Sequence, residues 1–178
     1  AAGILPVFNG VAVHDHWKPY FRFDHLLHSL CGAHLLRELN AFDETLQHRW
    51  PVQLKQVLID AKNAVAQAKE AKQTSLPPEQ IADLKQRYEQ WLNYGLRIFS
   101  ERPKINKQQG KGKQHPARNL LCRLRDFKDS VLRFIERFDV PFDNNAAERA
   151  VRPVKVKLKV AGGFRAMGGA EAFCVIRS

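Results

Sequence analysis

Cysteine is scarce in this sequence of 178 residues, and long apolar runs are missing. The three cysteines, Cys31, Cys122 and Cys174, are so widely spaced that a disulfide framework is not expected, which favours a reducing compartment. No run of 18 apolar residues occurs, and no basic segment followed by an apolar one opens the sequence. We therefore expect neither a membrane span nor a signal peptide.

Acidic residues are also in short supply, since 18 Asp and Glu face 29 Lys and Arg, a net charge of +11. The excess lies in two segments. Residues 101–125 hold eight Lys or Arg and one Glu, and residues 149–178 hold seven Lys or Arg and one Glu. Charge concentrated in this way is typical of a surface that binds a phosphate backbone. For the first segment, a solvated lysine-rich loop is the alternative.

The remaining composition, 44% hydrophobic and 26% charged, is that of a globular protein with a core. Apolar periodicity predicts a mainly α fold with a few short strands. The expected helices span about 19–49, an antiparallel pair between 52 and 100, and about 117–138, with a polar loop at 101–116 and a last helix near 170. After Pro153 a period-2 pattern predicts an extended strand or arm with one basic face, formed by Lys155, Lys157 and Lys159.

A candidate catalytic acid follows the first apolar run. Gly10–His14 has the pattern of a buried strand, and Asp15 comes directly after it, flanked by His14 and His16. In α/β sheets, ligands bind just beyond the carboxyl ends of the strands. The alternative is that Asp15 only forms a turn or caps the next helix.

A second candidate acid lies in the sequence VPFDNNAAERAVRP, residues 140–153. The prolines at its two ends predict a helix of about two turns that carries Glu148. A local explanation also exists, because an Asn at the N-cap followed three residues later by Glu is a variant of the capping box.

A possible metal stripe lies in the first predicted helix, where His25, His28, Cys31 and His34 recur at steps of three. Each such step lags by about 60° around a helix, so the four side chains cover about half the circumference and cannot converge on one ion. Only the neighbouring Cys31 and His34 could act together, and a structural zinc site needs four ligands. A zinc site is therefore not favoured.

Four blocks of the sequence resemble a known family. VHDHWKPY, CGAHLLREL, the long block PARNLLCRLRDFKDSVLRFIERFDVPFDNNAAERAVRPVKVKLKVAGGFR and the final GGAEAFCVIRS are similar, in this order, to the C-terminal catalytic part of bacterial insertion-sequence transposases of the DDE class, in particular the insertion-sequence sixty-six family. This resemblance implies a partial RNase H-like α/β core of the retroviral integrase type, interrupted by a helical insertion. It implies core residues at 1–49, the insertion at 50–138, and the return of the core, with the Glu helix and a basic tail, at 139–178.

The resemblance also implies roles for individual residues. Asp15 matches the second Asp of the catalytic triad and Glu148 matches its Glu, so both would bind Mg²⁺ or Mn²⁺. Structural roles are implied for the Cys-x-x-His pair Cys31 and His34 and for Asn144 and Asn145. No residue of this sequence matches the first Asp, so we expect these 178 residues to be inactive on their own.

The partners that the resemblance implies are the DNA ends of a mobile element and other transposase chains, in the bacterial cytoplasm at the nucleoid. The residues expected to contact DNA are basic: Lys111, Lys113, Arg149, Arg152, Lys155, Lys157, Lys159 and Arg165. Two functions from other classes remain open. One is a non-catalytic basic helical protein that binds nucleic acid, and the other is a structural helical scaffold.

Overall fold

Two short parallel strands form the only sheet in the part of the chain that the computed structural model describes, which comprises residues 5–99, 115–162 and 168. Strand β1 (Val11–His14) pairs with β2 (Leu27–Leu30), with Val11 opposite Leu27 and His14 opposite Leu30. A 3-10 helix, Lys18–Arg22, lies in the connection. The predicted strand before Asp15 is confirmed.

The prediction of one helix from 19 to 49 is wrong, because β2 lies inside this range. The backbone groups of β1 need hydrogen-bond partners, and β2 provides them. Leu27 N–H donates to the Gly10 carbonyl at 3.1 Å, and Cys31 N–H donates to the His14 carbonyl at 2.8 Å. Tertiary pairing therefore overrides the helical spacing of the leucines around β2.

Two helices follow the sheet, α1 (Gly32–Leu46) and α2 (Arg49–Glu70). Gln47 ends α1 in the left-handed conformation, with φ of 50°. The chain then turns, and α2 packs back on α1: the Phe42 and Trp50 rings lie 6.1 Å apart. Helix α2 contributes a row of buried side chains to the core. They are Trp50, Leu54, Val57, Leu58, Ala61, Val65 and Ala68.

Helix α3 (Pro78–Ile98) runs antiparallel to α2, as predicted. Asp60 accepts a hydrogen bond from Arg87, whereas Gly95, near the end of α3, packs on Trp50, near the start of α2. Helix α4 (Pro116–Asp126) returns along α3. There the buried Tyr88 hydroxyl donates to the Leu124 carbonyl at 2.9 Å.

The single helix predicted from 117 to 138 is divided into α4 and α5 (Lys128–Glu136). The break falls at Phe127, whose φ is −113°, and the Phe127 ring packs on the rings of Phe21 and His16. Helix α5 lies against β2, where Ser29 Oγ donates to the Ser130 carbonyl at 3.2 Å. The mainly helical fold with short strands is confirmed, and the boundaries 1–49, 50–138 and 139–178 stay a prediction.

The chain forms two compact units, residues 1–143 and 144–178. The described part of the second unit is α6 (Asn145–Ala161), with Pro153 in its interior. The two-turn helix ending at Pro153 and the extended strand or arm after it are therefore wrong predictions. The alternation of valine and lysine is compatible with a helix, and the proline removes only one intrahelical donor, opposite the carbonyl of the exposed Arg149.

The predicted loop at 101–116 falls almost wholly outside the described residues, as does the predicted helix near residue 170. Among the helices that are described, none has both the length and the apolar character needed to cross a membrane.

Candidate active site

Asp15 lies where the sequence predicted, at the carboxyl edge of the sheet. Strand β1 ends at His14, and Asp15 follows it with an exposed side chain. Its Oδ1 accepts a hydrogen bond from Trp17 N–H at 3.2 Å. This is the local turn considered as the alternative role, so Asp15 forms a turn and also occupies the predicted position.

Two histidines form a hydrogen-bonded chain behind Asp15. His14 is only 1% exposed, and its Nδ1 accepts from His16 N–H at 3.2 Å. Its other nitrogen, Nε2, lies 3.2 Å from Nδ1 of His28, and His28 Nε2 lies 3.2 Å from the Phe23 carbonyl. Because the His16 backbone N–H can only donate, His14 Nδ1 accepts and the His14 proton sits on Nε2. Because the Phe23 carbonyl can only accept, the His28 proton sits on the Nε2 of His28. Every bond in this chain then has one donor and one acceptor, with both rings neutral.

Burial reinforces this arrangement. Burial, and after it nearby His28, lowers the pKa of His14 from 6.5 to about 4, although Asp15 acts in the opposite direction. His14 is thus neutral at pH 7, and hydrogen bonds occupy both of its nitrogens. The carboxylate of Asp15, rather than an imidazole, is the group at this edge suited to a hard cation such as Mg²⁺.

His16 adds backbone strain next to the acid. Its φ is 69°, in the left-handed region that residues with a side chain rarely adopt. Its ring is held edge-on by Phe21 and Phe127, at centroid distances of 5.3 and 4.7 Å. Burial, and then the Arg123 guanidinium, lower the pKa of His16, and Glu38 opposes them. Strained residues of this kind concentrate at functional sites.

The predicted histidine and cysteine stripe is wrong in its geometry. His28 lies in β2, Cys31 caps α1, His34 lies in the first turn of α1, and His25 precedes β2, so the four do not share one helix. Cys31 is buried, and its carbonyl accepts from His34 N–H at 3.1 Å. Within residues 5–99 and 115–162, no group of three or more His, Cys, Asp or Glu side chains is placed to hold a metal ion.

The end of the first unit is fixed at the same sheet edge as Asp15. Gly32, the first residue of α1, donates its N–H to the Phe142 carbonyl at 2.8 Å. A Cβ on Gly32 would overlap the Phe142 ring, so only glycine permits this approach. Because parallel strands end at one edge, Phe142 is anchored at the edge that carries Asp15.

Glu148 lies in the first turn of α6, half-buried. Asn144 is the N-cap, and its carbonyl accepts from Glu148 N–H at 3.0 Å. Glu148 is therefore four residues beyond the cap, one more than the capping box requires. Asp15 belongs to the first unit and Glu148 to the second, and the expectation that both bind Mg²⁺ or Mn²⁺ stays a prediction.

The cations predicted to contact DNA fall into two groups, those exposed on α6 and those whose side chains the structure does not describe. Arg149, Arg152, Lys157 and Lys159 are exposed on α6. The side chain of Lys155, and all of Arg165, Lys111 and Lys113, lie outside the described residues. On the helix, Lys157 and Lys159 are about 200° apart, which corrects the predicted single lysine face, whereas Arg149, Arg152 and Lys159 fall within about 80°.

Part of the other basic segment is engaged inside the first unit. Arg118 donates to the Phe99 carbonyl, Arg123 pairs with Glu38, and Arg125 pairs with Asp126. These three cations have partners within the first unit. Residues 101–125 therefore offer fewer free positive charges to a phosphate backbone than their net charge indicates.

The sequence pointed to Asp15 but missed the residues that support it. His28 was considered only as part of the metal stripe and Tyr20 was not considered, although His28 bonds His14 and Tyr20 stacks on it at 4.6 Å. The available signal was the density of aromatic and histidine residues from His14 to His28. It could be interpreted only once β2 was known to pair with β1.

Comparison with known protein families identifies a relationship. The model of a family described as "Transposase IS66 family" matches residues 1–172. Searches of curated proteins and of solved structures found no match. Since the family model covers nearly all of the sequence, and the candidate acids lie in the blocks that resemble this family, the chain belongs to the IS66 family of transposases.

Proposed function

We propose that this chain is the catalytic part of a DDE transposase that cleaves the DNA ends of an insertion sequence and transfers them to a new site. Its core would be RNase H-like, with α2 to α5 inside a helical insertion. The observation that carries the proposal is the family match over residues 1–172, joined to the position of Asp15 at the carboxyl end of β1. Asp15 and Glu148 would supply two of the three catalytic carboxylates.

The donor groups suit Mg²⁺ or Mn²⁺. A carboxylate has about four lone-pair sites, so the hydrogen bond from the Trp17 backbone N–H to Asp15 Oδ1 leaves capacity for a metal. Bound metal ions would supply the clamp on attacking and leaving oxygens that phosphoryl transfer requires. The protein residues hold the acid in place: Trp17 N–H fixes one oxygen, and neutral His14 adds no positive charge that would repel a cation.

Two carboxylates are too few for a pair of metal ions. The family resemblance assigns no residue of this sequence to the first Asp, so the 178 residues alone would bind metal weakly and would not cut DNA. Arg149, Arg152 and Lys159, exposed within one arc of α6, would contact the DNA backbone.

Metal binding measured by titration calorimetry with Mn²⁺ tests the assignment of the acids. Asp15→Asn and Glu148→Gln are each expected to weaken binding by at least about tenfold, because each removes an oxygen ligand. Asp24→Asn and Glu79→Gln are the matched controls, since they neutralise one exposed carboxylate each elsewhere in the first unit. Equal losses in the controls would show that Mn²⁺ responds to net charge only, and the assignment would fail.

A plasmid assay tests the expectation that the 178 residues alone do not cut DNA. Supercoiled DNA incubated with the chain and Mg²⁺ should stay uncut, and cutting that disappears in Glu148→Gln would disprove the expected inactivity.

A second function, non-catalytic nucleic-acid binding, is favoured by one observation, the arc of exposed cations on α6. It would be preferred if Asp15→Asn and Glu148→Gln left metal binding unchanged while DNA affinity fell steeply with salt. A structural scaffold would show neither behaviour.

A further inference from the structure

An exposed tryptophan stands beside the candidate catalytic acid. Trp17 is 63% exposed, although a tryptophan ring is the side chain with the most apolar area to lose on burial. It is two residues from Asp15, and its backbone N–H donates a hydrogen bond to Asp15 Oδ1. Its position is therefore coupled to that of the acid.

The Trp17 ring is supported from the protein side. The Tyr20 ring lies edge-on to it at 5.8 Å, and Tyr20 in turn stacks on the buried His14 at 4.6 Å. The Tyr20 N–H also donates to the Trp17 carbonyl at 3.1 Å, which closes the first turn of the 3-10 helix, with Pro19 near its start. The Trp17 ring therefore projects from a hydrogen-bonded turn, contacts Tyr20 on one side and has most of its surface in solvent.

Charge at this position favours an anionic partner. Lys18 follows Trp17 directly and is exposed, and Arg22, at the end of the same 3-10 helix, is exposed as well. An aromatic ring beside basic side chains is the combination with which proteins hold single-stranded nucleic acid: the ring stacks on a base and the cations contact phosphates.

We propose that Trp17 is a stacking platform for an unpaired DNA base next to the scissile phosphate, with Lys18 contacting the adjoining backbone. This inference rests on the proposed function, because it takes Asp15 as the acid at the reacting phosphate. A fixed base would position the phosphate beside it, and placement of the reacting groups is a large part of catalysis in phosphoryl transfer. Trp17 is thus a substrate-positioning residue rather than a group that takes part in the chemistry.

The test measures binding without metal, so it does not depend on cleavage or on the metal ligands. Fluorescence anisotropy in EDTA compares a labelled oligothymidine of about 15 nucleotides with the same backbone lacking its bases. Trp17→Ala should weaken binding of the oligothymidine by about 5- to 150-fold and leave binding of the base-free backbone unchanged. Trp17→Phe should restore most of the affinity, whereas Trp17→Leu, which is apolar but not aromatic, should not.

Two controls separate stacking from charge and from general damage. Lys18→Ala should make the negative slope of log affinity against log salt shallower by about 0.7, whereas Trp17→Ala should leave that slope unchanged. Trp91→Ala removes a half-buried tryptophan from α3 and should not alter binding to either DNA. Far-UV circular dichroism confirms that each variant is folded.

The proposal is overturned if the wild-type chain does not prefer the oligothymidine over the base-free backbone, or if Trp17→Leu binds as tightly as Trp17→Phe. A failure of Mn²⁺ binding together with the expected oligothymidine results would reject the proposed metal ligands and leave the stacking site intact. The reverse result would reject the stacking site alone.

Discussion

Acid should destabilise this protein through His14, beginning at pH values where most carboxylates are still charged. Burial, together with His28 and His16, lowers the pKa of His14 from 6.5 to about 4, and Asp15 opposes the shift only in part. The unfolded chain binds a proton at His14 below pH 6.5, whereas the folded chain does so only near pH 4. The folded state therefore loses stability as the pH falls between these values.

The magnitude follows from the size of the shift. One pKa unit corresponds to about 1.4 kcal/mol, so the displacement from 6.5 to about 4 gives a loss of up to about 3 kcal/mol, complete near pH 4. The lowered pKa of His16 adds a loss of the same sign below pH 6.5. Asp60 also has a lowered pKa, because of its hydrogen bond with Arg87, but its contribution is lost only below its ordinary value of 3.8.

Urea unfolding at pH values from 7 to 4, in EDTA and followed by circular dichroism, measures this loss. The matched variant is His14→Phe, which keeps a ring against Tyr20 but cannot titrate. At pH 7 it should be about 1–3 kcal/mol less stable than wild type, because His16 N–H and His28 lose their partner. As the pH is lowered from 7 to 4, the free energy of unfolding of His14→Phe should fall less steeply than that of wild type. A wild-type stability that is constant over this range, or an equal slope in His14→Phe, would refute the reasoning.

Three further perturbations test the packing. Gly32→Ala should destabilise the first unit by about 1–3 kcal/mol in urea unfolding, because its Cβ would meet the Phe142 ring, and the loss should shrink when Phe142→Ala is combined with it. Gly95→Ala should lower the thermal midpoint despite alanine's better helix propensity, since the new Cβ would lie 2.8 Å from Leu121 Cδ2; a raised midpoint would show that Leu121 moves aside. Pro153→Ala should slow amide exchange in α6, because an interior proline costs a helix about 3 kcal/mol; unchanged exchange would contradict the cost assigned to Pro153.

The elements that could be predicted from the sequence are those whose pattern of apolar residues is compatible with only one kind of secondary structure. The pair α2 and α3 has apolar stripes of helical period and a Pro77-Pro78 break, so local preference and packing agree. The strand before Asp15 could be predicted because a short apolar run ends there in a charged residue. The position of the candidate acid followed directly from it.

Elements that depend on distant partners could not be predicted. Strand β2 has leucines at helical spacing, and only its pairing with β1 and its contact with α5 make it extended. The break at Phe127 depends on ring contacts with Phe21 and His16, which are far away in the sequence. In α6 the alternation of valine and lysine is compatible with both a helix and a strand. Pro153 led to the prediction of a strand after it, whereas the structure has a helix.

The two interpretations of Asp15 support each other. A carboxylate that only formed a turn would need nothing behind it, yet Asp15 follows a buried neutral His14 and precedes a strained His16. A carboxylate that only bound a metal would lose side-chain freedom at each binding event. Because Trp17 N–H already fixes Oδ1, part of that ordering is complete before any ligand arrives. In the proposed metal site this turn would hold the Asp15 carboxylate in place for the ion, and removing the hydrogen bond should weaken Mn²⁺ binding even where the carboxylate remains.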